Sequence, residues 1–451
     1  MIVVIFRIGI DDTDTSSGYC TTFVATLLLE EALRLGFEII DFPHLVRLNP
    51  NIPYKTRGNA AVALILKGEI EKVEILFKKF EEICEGLIDE KADKPNPVMA
   101  FYNGDQELLR EFYNRCLVSE ISIEETMGLA RKLGIKFLAL RGVRGLIGAI
   151  AAIGANLDEF TYELLAYRDP NDKGRERGLS YAKVLEMDRL FKKYTFHNID
   201  EGKKRILITP HGRDPVLVGI RGSDPDKLIE AFKFLGIQAQ RWLIFKTNQG
   251  TDAHLKEAMK NENFARYGVI YEEAKIKDRP KVMPGGHVIL DCLIKGKHAE
   301  ALVYSESGAM NKLARYLHEG DLVRIGGGIK EIGASKMTIN VERIEILSLS
   351  DVYLRKRPVC ARCGSRLKSA GSGKGLICKN CKIEIPFEFH ILTKIERPLM
   401  EGQVLLPPPR SRRHLTKPIE GNYQGIRKEF SLDYFYSKFL FPQKESVVNL
   451  S

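Results

Sequence analysis

The sequence predicts a multidomain α+β protein. The chain has 451 residues, and typical domains of roughly 100 to 200 residues make three or four units the expectation. Strand and helix patterns alternate up to about residue 258 and then give way to short alternating strands. Two Cys-x-x-Cys pairs follow in the last quarter of the chain. The content of 44% hydrophobic and 28% charged residues is typical of a globular protein with a sizeable core.

The first predicted unit, residues 1–140, is an α/β or α+β sheet domain. VVIFRIGI predicts a buried strand, and CTTFVATLLLEEALRLG places apolar residues at the spacing of an amphipathic helix. EIIDFPHLVRL and NAAVALILKG predict further strands, and EKVEILFKKFEEICEGL predicts a second helix. Alternation of this kind is typical of a sheet covered by helices.

Three carboxylates, Asp11, Asp12 and Asp14, lie between the first strand and the first helix. Ligands of α/β folds bind at this end of a strand, and hard oxygen ligands suit Mg²⁺ bridging the phosphates of a nucleotide. The segment is not a Walker loop, because it lacks the glycine spacing and the Gly-Lys pair. An Asx-turn in which Asp14 or Ser16 caps the helix is the open alternative.

The segment RLNPNIPYKTRGNA, residues 47–60, predicts a basic loop between two strands. It carries Arg47, Lys55 and Arg57. Arginine offers a planar fork and lysine a point charge, so the loop could clamp phosphates or RNA. A solvated basic hairpin explains the same residues, since most charged side chains are exposed.

The second predicted unit, residues 141–258, is a ferredoxin-like α+β sandwich. It opens with RGVRGLIGAIAAIGANL, in which Arg141 and Arg144 precede a helix of small residues. The amides at the start of this helix could receive an anion, but close packing explains its glycines equally well. TYELLAYR, RILITP, VLVGIRG, a helix from Pro225 to Phe234 and RWLIFKTN supply the remaining elements.

The third predicted unit, residues 265–350, is an OB-fold β-barrel. Five short alternating strands and one helical interval around Ala309 to His318 fall within it, which is the pattern of an OB barrel. Such barrels commonly hold nucleic acid, although another small barrel would give a similar pattern.

The fourth predicted unit, residues 351–390, binds zinc. Its spacing, C-x2-C-x14-C-x2-C, supplies four thiolates for a tetrahedral Zn²⁺ and leaves no open position for catalysis, so the metal is expected to be structural. Redox disulfides normally occur as one such pair in a thioredoxin-like setting, which makes that alternative weak. The four ligands are Cys360, Cys363, Cys378 and Cys381.

Residues 391–451 form a predicted basic C-terminal tail. From Asp351 onward there are 19 Lys+Arg against 9 Asp+Glu, whereas the preceding residues carry 50 of each. This asymmetry indicates a polyanionic partner such as nucleic acid, with a merely solubilising tail as the alternative. The segment LLPPPRSRRHLTKP is suited to lying along an RNA backbone, because prolines stiffen it. Its charged residues are Arg410, Arg412, Arg413, His414 and Lys417.

We expect a cytoplasmic location. No apolar run approaches the roughly 18 to 20 residues needed to cross a bilayer, and the amino terminus lacks the features of a signal peptide. The four remaining cysteines lie in apolar segments without pairing logic, which fits reduced thiols. Nothing in the sequence indicates a membrane or a protein partner.

Taken in order, IGIDDTDTSSGYCTT, LNPNIPYKTRGNAAV, RGLIGAIAAIGA and the zinc unit with SAGSGKG closely resemble the archaeal tRNA-isoleucine 2-agmatinylcytidine synthetases. The resemblance spans roughly residues 7 to 418. It implies a kinase-like ATP-binding catalytic domain at residues 1–140, followed by ferredoxin-like, OB-fold and zinc-ribbon domains. The residues after about 430 and the run NDKGRERGLS depart from the family pattern.

The resemblance also implies an activity. Members of the family attach agmatine to C2 of the wobble cytidine of tRNA(Ile2), anticodon CAU, so that it decodes AUA. ATP is cleaved to AMP and phosphate while the cytidine oxygen is phosphorylated, and agmatine then displaces it. The threonine after the Gly-x-Cys sequence is autophosphorylated in the family, and that position is Thr21.

The expected site follows from this activity. We expect Asp11, Asp12 and Asp14 to hold Mg²⁺ and ATP, with Asp11 and Asp12 as the metal ligands, and Thr21 to accept a phosphoryl group. The cations expected on phosphates or on the tRNA backbone are Lys55, Arg57, Arg141 and Arg144.

Two other functions are compatible with the residues. A non-catalytic nucleic-acid-binding protein would use the OB and zinc units alone and would not consume ATP with tRNA and agmatine. An RNA kinase would stop at phosphoryl transfer and give a stable phosphorylated product.

Overall fold

The computed structural model describes residues 2–15, 19–87, 95–169, 172, 176–210, 214–261, 263–333 and 336–440. It confirms the multidomain α+β class, because a large mixed sheet with helices is followed along the chain by a β-barrel and a small ribbon. The helices are α1 (Thr21–Arg34), α2 (Val73–Leu87), α3 (Glu107–Val118), α4 (Ile123–Leu133), α5 (Gly145–Gly154), α6 (Tyr181–Leu190), α7 (Pro225–Leu235), α8 (Ala253–Ala258), α9 (Ala309–Ala314) and α10 (Leu432–Tyr436). The strands are β1 (Val3–Asp11), β2 (Glu38–Ile39), β3 (His44–Arg47), β4 (Ala60–Glu69), β5 (Val98–Tyr102), β6 (Lys136–Ala139), β7 (Thr161–Tyr167), β8 (Thr195–Phe196), β9 (Ile199–Asp200), β10 (Arg205–Ile206), β11 (Val216–Gly222), β12 (Arg241–Thr247), β13 (Val269–Ile276), β14 (Lys281–Val282), β15 (Val288–Ile294), β16 (Lys297–Val303), β17 (Leu322–Ile332), β18 (Met337–Ser348), β19 (Tyr353–Lys356), β20 (Lys368–Ser369), β21 (Leu376–Ile377), β22 (Glu384–Ile385), β23 (Ile391–Lys394), β24 (Val404–Leu405) and β25 (Phe439–Leu440).

The central sheet runs through the first two predicted units. Its eleven strands follow the order β6-β5-β1-β4-β3-β12-β7-β11-β8, with β2 added on β4 and β25 on β12. The two units meet at β3 and β12, which are parallel and place His44 opposite Lys246. One hydrophobic core extends through both units. The division expected near residue 140 therefore falls within a single structural body.

Strand β1 lies inside the sheet, with a paired strand on each side and buried apolar side chains. It pairs antiparallel with β4 and with β5, and Phe6, Ile8 and Ile10 are fully buried. A strand that is paired on both sides and has buried side chains is a rigid support. Its carboxyl end is where the acidic loop begins.

Helix α5 packs against β1 at very short range. A Cβ atom at Gly9 of β1 would lie 2.1 Å from the carbonyl oxygen of Ala149, and one at Gly148 would lie 1.9 Å from Oδ2 of Asp11. Real Cβ atoms do not approach so closely, so Gly9 requires glycine against the backbone of α5, whereas a side chain at Gly148 would displace the carboxylate of Asp11. The packing explanation for the glycines is confirmed, and it also brings the start of α5 to the acidic loop.

The barrel has the OB topology that the sequence predicted. Strand β13 pairs with β17 and with β15, which closes the barrel. Strands β16 and β18 are parallel, with Ala299 opposite Met337, and the interior has its own apolar core. The predicted helical interval corresponds to α9.

A small ribbon follows the barrel. Strands β20, β21 and β22 form a three-stranded sheet around a minimal core that includes Leu367 and Leu376. Strands β19 and β23 pair with each other at the base of the ribbon, so this unit reaches residue 394 rather than 390. Among the described residues, no helix is both long and apolar enough to cross a membrane.

The described residues of the predicted basic C-terminal tail, up to residue 440, pack on the body of the protein. Strand β24 pairs with β18 of the barrel, and β25 pairs with β12 of the central sheet. Between them, Arg410 forms an ion pair with Asp200 at 2.5 Å, and Arg412 forms one with Glu420 at 2.5 Å. Prolines and arginines predict an extended basic segment correctly, but both of these arginines are paired with carboxylates, Arg410 with one 210 positions away and Arg412 with one eight positions away. We call residues 404–440 the C-terminal strap.

The departures from the family pattern have different outcomes. Residues 431–440 of the strap dock on the body through an aromatic cluster, in which Phe435 is fully buried and packs against Phe42 and Phe430. Of the run NDKGRERGLS, residues 171 and 173–175 lie outside the described residues, as do residues 441–451.

Candidate active site

The acidic loop begins at the carboxyl end of β1. Asp11 is the last residue of that strand and lies against Gly148 of α5. Asp12 follows with a positive φ of 56°, and its Oδ2 accepts a hydrogen bond of 3.2 Å from Nδ2 of Asn96. The side chain of Asn96 in turn lies directly over Gly142. Both carboxylates are thus held in place by neighbouring backbone and amide groups.

Burial changes the acidity of these two carboxylates. It raises the pKa of Asp11 well above the usual range, and the charge of Asp12 adds to the effect. Burial also raises the pKa of Asp12, against the opposing hydrogen bond from Asn96. Two desolvated carboxylates of like charge are stabilised by a cation, so the pair fits a magnesium ion by its donor chemistry.

Asp11 and Asp12 line a cleft, which we call the aspartate cleft. Lys55 from the basic loop and Arg144 from the start of α5 line it as well. The guanidinium of Arg144 lies 4.6 Å from the ring centroid of Tyr54, which is 59% exposed at the rim. Apolar groups also line the cleft, namely Leu48, Ile52, Cys116, Ile121 and Ile147.

Thr21 and Asp14 line a second cavity, which we call the threonine pocket. Thr21 is the first residue of α1 and is 5% exposed. Its N–H donates to Oδ1 of Asp14 at 3.1 Å, and its hydroxyl accepts a hydrogen bond of 3.3 Å from the hydroxyl of Thr13. Asp14 therefore does serve the start of the helix, whereas Ser16 lies outside the described residues.

Charged side chains from both halves of the sheet meet in the threonine pocket. Nε of Arg57 lies 3.5 Å from Oδ2 of Asp14, and the same guanidinium forms an ion pair with Asp214. On the other wall, Nε of Arg221 donates to Glu163 at 3.0 Å. Burial raises the pKa of Asp214, and the charge of Arg57 opposes that shift. The pocket is thus a desolvated site with charges of both signs.

The structure divides the expected site residues between the two cavities. Asp11, Asp12, Lys55 and Arg144 line the aspartate cleft, whereas Asp14, Thr21 and Arg57 line the threonine pocket. Thr56 and Ala60 line both, so the cavities adjoin at the basic loop. Arg141 is exposed and lines neither cavity.

Sequence reasoning missed several residues of the threonine pocket. It identified Arg47 only as a loop cation, although the structure places this side chain in the pocket. His414 was likewise identified only as a charged residue of the segment LLPPPRSRRHLTKP. Glu163, Asp214 and Arg221 gave no local signal, because each belongs to an ordinary strand or loop and reaches the pocket only through the fold.

The cysteine cluster is a metal-binding site. The four sulfur atoms lie within 4.8 Å of one another, as expected when four thiolates surround one tetrahedral zinc ion. Among the described residues, this is the one group of three or more His, Cys, Asp or Glu side chains that converges in this way. The ligands are those predicted, namely Cys360, Cys363, Cys378 and Cys381.

The chain combines a buried hydroxyl, an adjoining cleft lined by carboxylates, an OB barrel and a zinc ribbon. This combination indicates chemistry on a nucleic acid with a nucleotide as reactant. These features define an RNA-modifying enzyme. Models of known protein families identify the chain more closely. Residues 7–142 match the TiaS TCKD domain, residues 143–254 the TiaS FLD domain and residues 357–399 the TiaS C-terminal zinc ribbon domain.

Full-length relatives agree with the domain models. The chain is 36% identical to the tRNA(Ile2) 2-agmatinylcytidine synthetase TiaS of Archaeoglobus fulgidus over 93% of this chain and 98% of the relative. It is 38% identical to the TiaS of Pyrococcus horikoshii over 92% and 97%, respectively. The chain belongs to the tRNA(Ile2) 2-agmatinylcytidine synthetase family.

Solved structures show the same architecture. A TiaS-tRNA(Ile2)-ATP complex has a TM-score of 0.83 at 33% identity and covers 94% of this chain and 99% of its own. A TiaS-tRNA(Ile2)-AMPCPP-agmatine complex has a TM-score of 0.80 at 31% identity and covers 92% and 97%.

Proposed function

We propose that this chain attaches agmatine to C2 of the wobble cytidine of tRNA(Ile2) and cleaves ATP to AMP and phosphate. The modified CAU anticodon then decodes AUA. Family membership over nearly the whole chain supports this activity. The observation that carries the mechanism is the pair of cavities adjoining at Thr56 and Ala60, one with carboxylates and the other with the buried Thr21.

ATP binds in the aspartate cleft. Asp11 and Asp12 would hold Mg²⁺, which neutralises the phosphates and makes phosphorus more electrophilic. Lys55 and Arg144 supply positive charge on the same walls, and the apolar side chains are suited to the base. Arg57 faces the threonine pocket instead and serves phosphates there. Arg141 is a contact for the tRNA backbone, because it is exposed outside both cavities.

Thr21 accepts a phosphoryl group across the shared wall. Its Oγ attacks phosphorus, a new P–O bond forms, a phosphoanhydride bond breaks and the hydroxyl proton is released. The backbone hydrogen bond to Asp14 and the hydroxyl contact with Thr13 hold the side chain at the start of α1. Asp14 is therefore a positioning residue for Thr21.

Cytidine is activated in the same manner. Its O2 attacks phosphorus, an O–P bond forms and a phosphoanhydride bond breaks. The amine of agmatine then attacks C2, the C–N bond forms, the C–O bond breaks, phosphate leaves with the former base oxygen and the amine gives up a proton. Water hydrolyses the phosphate ester of Thr21, which regenerates the hydroxyl and releases the second phosphate, so that ATP and water end as AMP and two phosphates. The base must leave the anticodon stack for this chemistry. The barrel and the ribbon hold the tRNA mainly through its shape and phosphates.

The expected site of action is the cytoplasm. The substrates are a tRNA and two small molecules, and the cysteines outside the zinc site are Cys20, Cys84, Cys116 and Cys292, all of which are buried and unpaired. Unpaired thiols are typical of a reducing compartment.

The test is mass spectrometry of nucleosides from tRNA(Ile2) incubated with the protein, ATP, Mg²⁺ and agmatine. We expect an agmatine adduct on cytidine, and its loss in Thr21→Ala but not in the control Thr26→Ala, a buried threonine of the same helix that lines neither cavity. No ATP consumption would identify a pure binding protein. A phosphorylated cytidine that persists when agmatine is present would identify an RNA kinase, and full transfer by Thr21→Ala would exclude the threonine role.

A further inference from the structure

Arg47 is a cation without an anion in the threonine pocket. It ends strand β3, and the side-chain amide of Asn248 fixes its backbone by accepting from its N–H at 2.8 Å and donating to its carbonyl at 2.9 Å. Its guanidinium makes no hydrogen bond or ion pair with any described residue, and Nε is fully buried. Burial lowers the pKa of Arg47 to about 10.

The neighbouring carboxylates are already occupied. Among acidic groups, Glu163 has the largest effect on the pKa of Arg47. Its oxygens, however, already accept hydrogen bonds from Arg221 at 3.0 Å and from the side-chain amide of Gln249. Asp14 and Asp214 are both bound to Arg57. The side chain of Arg47 is partly buried, and a desolvated charge without a partner is unfavourable, so its guanidinium is suited to an anion that arrives from outside.

His414 reaches the same place from the C-terminal strap. Its carbonyl accepts from the N–H of Gly250 at 2.9 Å, which anchors the strap beside the pocket. A Cβ atom at Gly58 would lie 2.6 Å from Nη1 of Arg47, and it would lie 2.6 Å from Cδ2 and 2.8 Å from Nε2 of His414. The imidazole and the guanidinium therefore converge over Gly58. Nδ1 of His414 is buried and has no partner among the described residues.

The guanidinium of Arg47 and the Nε2 edge of the His414 imidazole meet over Gly58, and neither group has a hydrogen-bond partner among the described residues. A guanidinium and an imidazole N–H both donate to phosphate oxygens, and the pocket contains one group that becomes a phosphate ester in the proposed reaction. We propose that Arg47 and His414 form the binding site for the phosphoryl group carried by Thr21. This inference rests on the proposed function of Thr21, and it makes the strap part of the active site.

The experiment measures phosphothreonine and phosphate binding in the full-length protein. Intact mass and phosphopeptide spectra give the fraction of Thr21 phosphorylated after incubation with ATP and Mg²⁺. The variants are Arg47→Gln, His414→Gln and the control Arg413→Gln, whose side chain neighbours His414 along the strap but lines neither cavity. We expect the phosphorylated fraction to fall by about tenfold or more in Arg47→Gln, the effect of losing a charge-assisted hydrogen bond. His414→Gln should show a smaller fall, and the control should be unchanged.

A second measurement keeps the two proposals distinguishable. Inorganic phosphate should raise the Tm of the ATP-free protein and of Thr21→Ala, because binding to the native state stabilises it. The rise should be lost in Arg47→Gln. Because that substitution removes an unpaired buried charge, its Tm without phosphate should be no lower than that of the parent protein.

The results of the two measurements distinguish the anion site from the role of Thr21. A phosphate-dependent rise in Tm that persists in Arg47→Gln would overturn the site, as would an unchanged phosphothreonine fraction in that variant. Absence of phosphothreonine in the parent protein, together with an Arg47-dependent response to phosphate, would overturn the role of Thr21 but support the anion site. A lower Tm of Arg47→Gln without phosphate would identify Arg47 as a structural residue and overturn the proposal.

Discussion

Gly148→Ala tests whether the packing of α5 on β1 sets the position of Asp11. The substitution adds one methyl group, and its Cβ would lie 1.9 Å from Oδ2 of Asp11, whereas ordinary contacts begin at 3.4 Å. Either the carboxylate or the helix must therefore move by about 1.5 Å, the difference between these two distances. The carbonyl of Ala149 lies against Gly9 and restrains the helix, so we expect the carboxylate to move.

The magnitude follows from this displacement. A shift of about 1 Å in a catalytic group costs on the order of 10²-fold in rate, so ATP-dependent modification should fall by about two orders of magnitude. The stability effect should be smaller, because overpacking costs about 1–3 kcal/mol while alanine gains up to about 1 kcal/mol over glycine inside a helix.

The assay compares agmatine adduct formation and thermal unfolding in Gly148→Ala and in Gly128→Ala. Gly128 lies inside α4, and a Cβ atom there would meet nothing within 4 Å. The control should thus be as stable as the parent protein or slightly more stable, with full activity. If Gly148→Ala were as active as Gly128→Ala, Asp11 would not depend on this contact and the assignment of the aspartate cleft would fail.

Three further predictions concern other parts of the molecule. Phe435→Ala should lower the free energy of unfolding by about 3–5 kcal/mol in denaturant titrations, because it empties a buried aromatic site. The neighbouring Tyr436→Ala, at a ring 48% exposed, should cost much less, and equal losses would contradict docking of the strap. Burial raises the pKa of Asp11 in the folded state. The contribution of its protonated form to the free energy of unfolding is present at low pH and is lost as pH rises through the raised pKa. Asp11→Asn should therefore raise the Tm of the magnesium-free protein more at pH 8 than at pH 4. A change in Tm that does not depend on pH would contradict this prediction. Cys378→Ser should abolish bound zinc and weaken tRNA binding while leaving the main unfolding transition in place, since the ribbon has its own core; retained zinc would refute the four-thiolate site.

Local patterns were sufficient to predict the architecture. Alternating strands predicted the barrel, and the cysteine spacing predicted the zinc ligands, because both depend on residues close together in the chain. The end of β1 also located the acidic loop correctly. The expectation of one magnesium and nucleotide site with all three aspartates did not anticipate that Asp14 lies in a different cavity from Asp11 and Asp12.

The remaining errors arise from contacts between distant residues. Asp214 carries no signal in its own segment, and His414 was noted only as a charge suited to an RNA backbone. The place of both in the pocket depends on the pairing of β3 with β12 and on the path of the strap. The charges of the strap indicated RNA because their partners, Asp200 for Arg410 and Glu420 for Arg412, could not be paired from sequence alone. Net charge in a segment predicts a polyanionic partner only when the fold leaves that charge unpaired.

The path of the C-terminal strap has a consequence for biosynthesis. Every residue that lines the aspartate cleft lies at or before Gly148, whereas the threonine pocket takes its last wall from His414. A growing chain on the ribosome therefore contains the whole aspartate cleft long before the threonine pocket can close. The lining residues of the two cavities are therefore synthesised at different times, and a product released short of His414 has every residue that lines the aspartate cleft but not every residue that lines the threonine pocket.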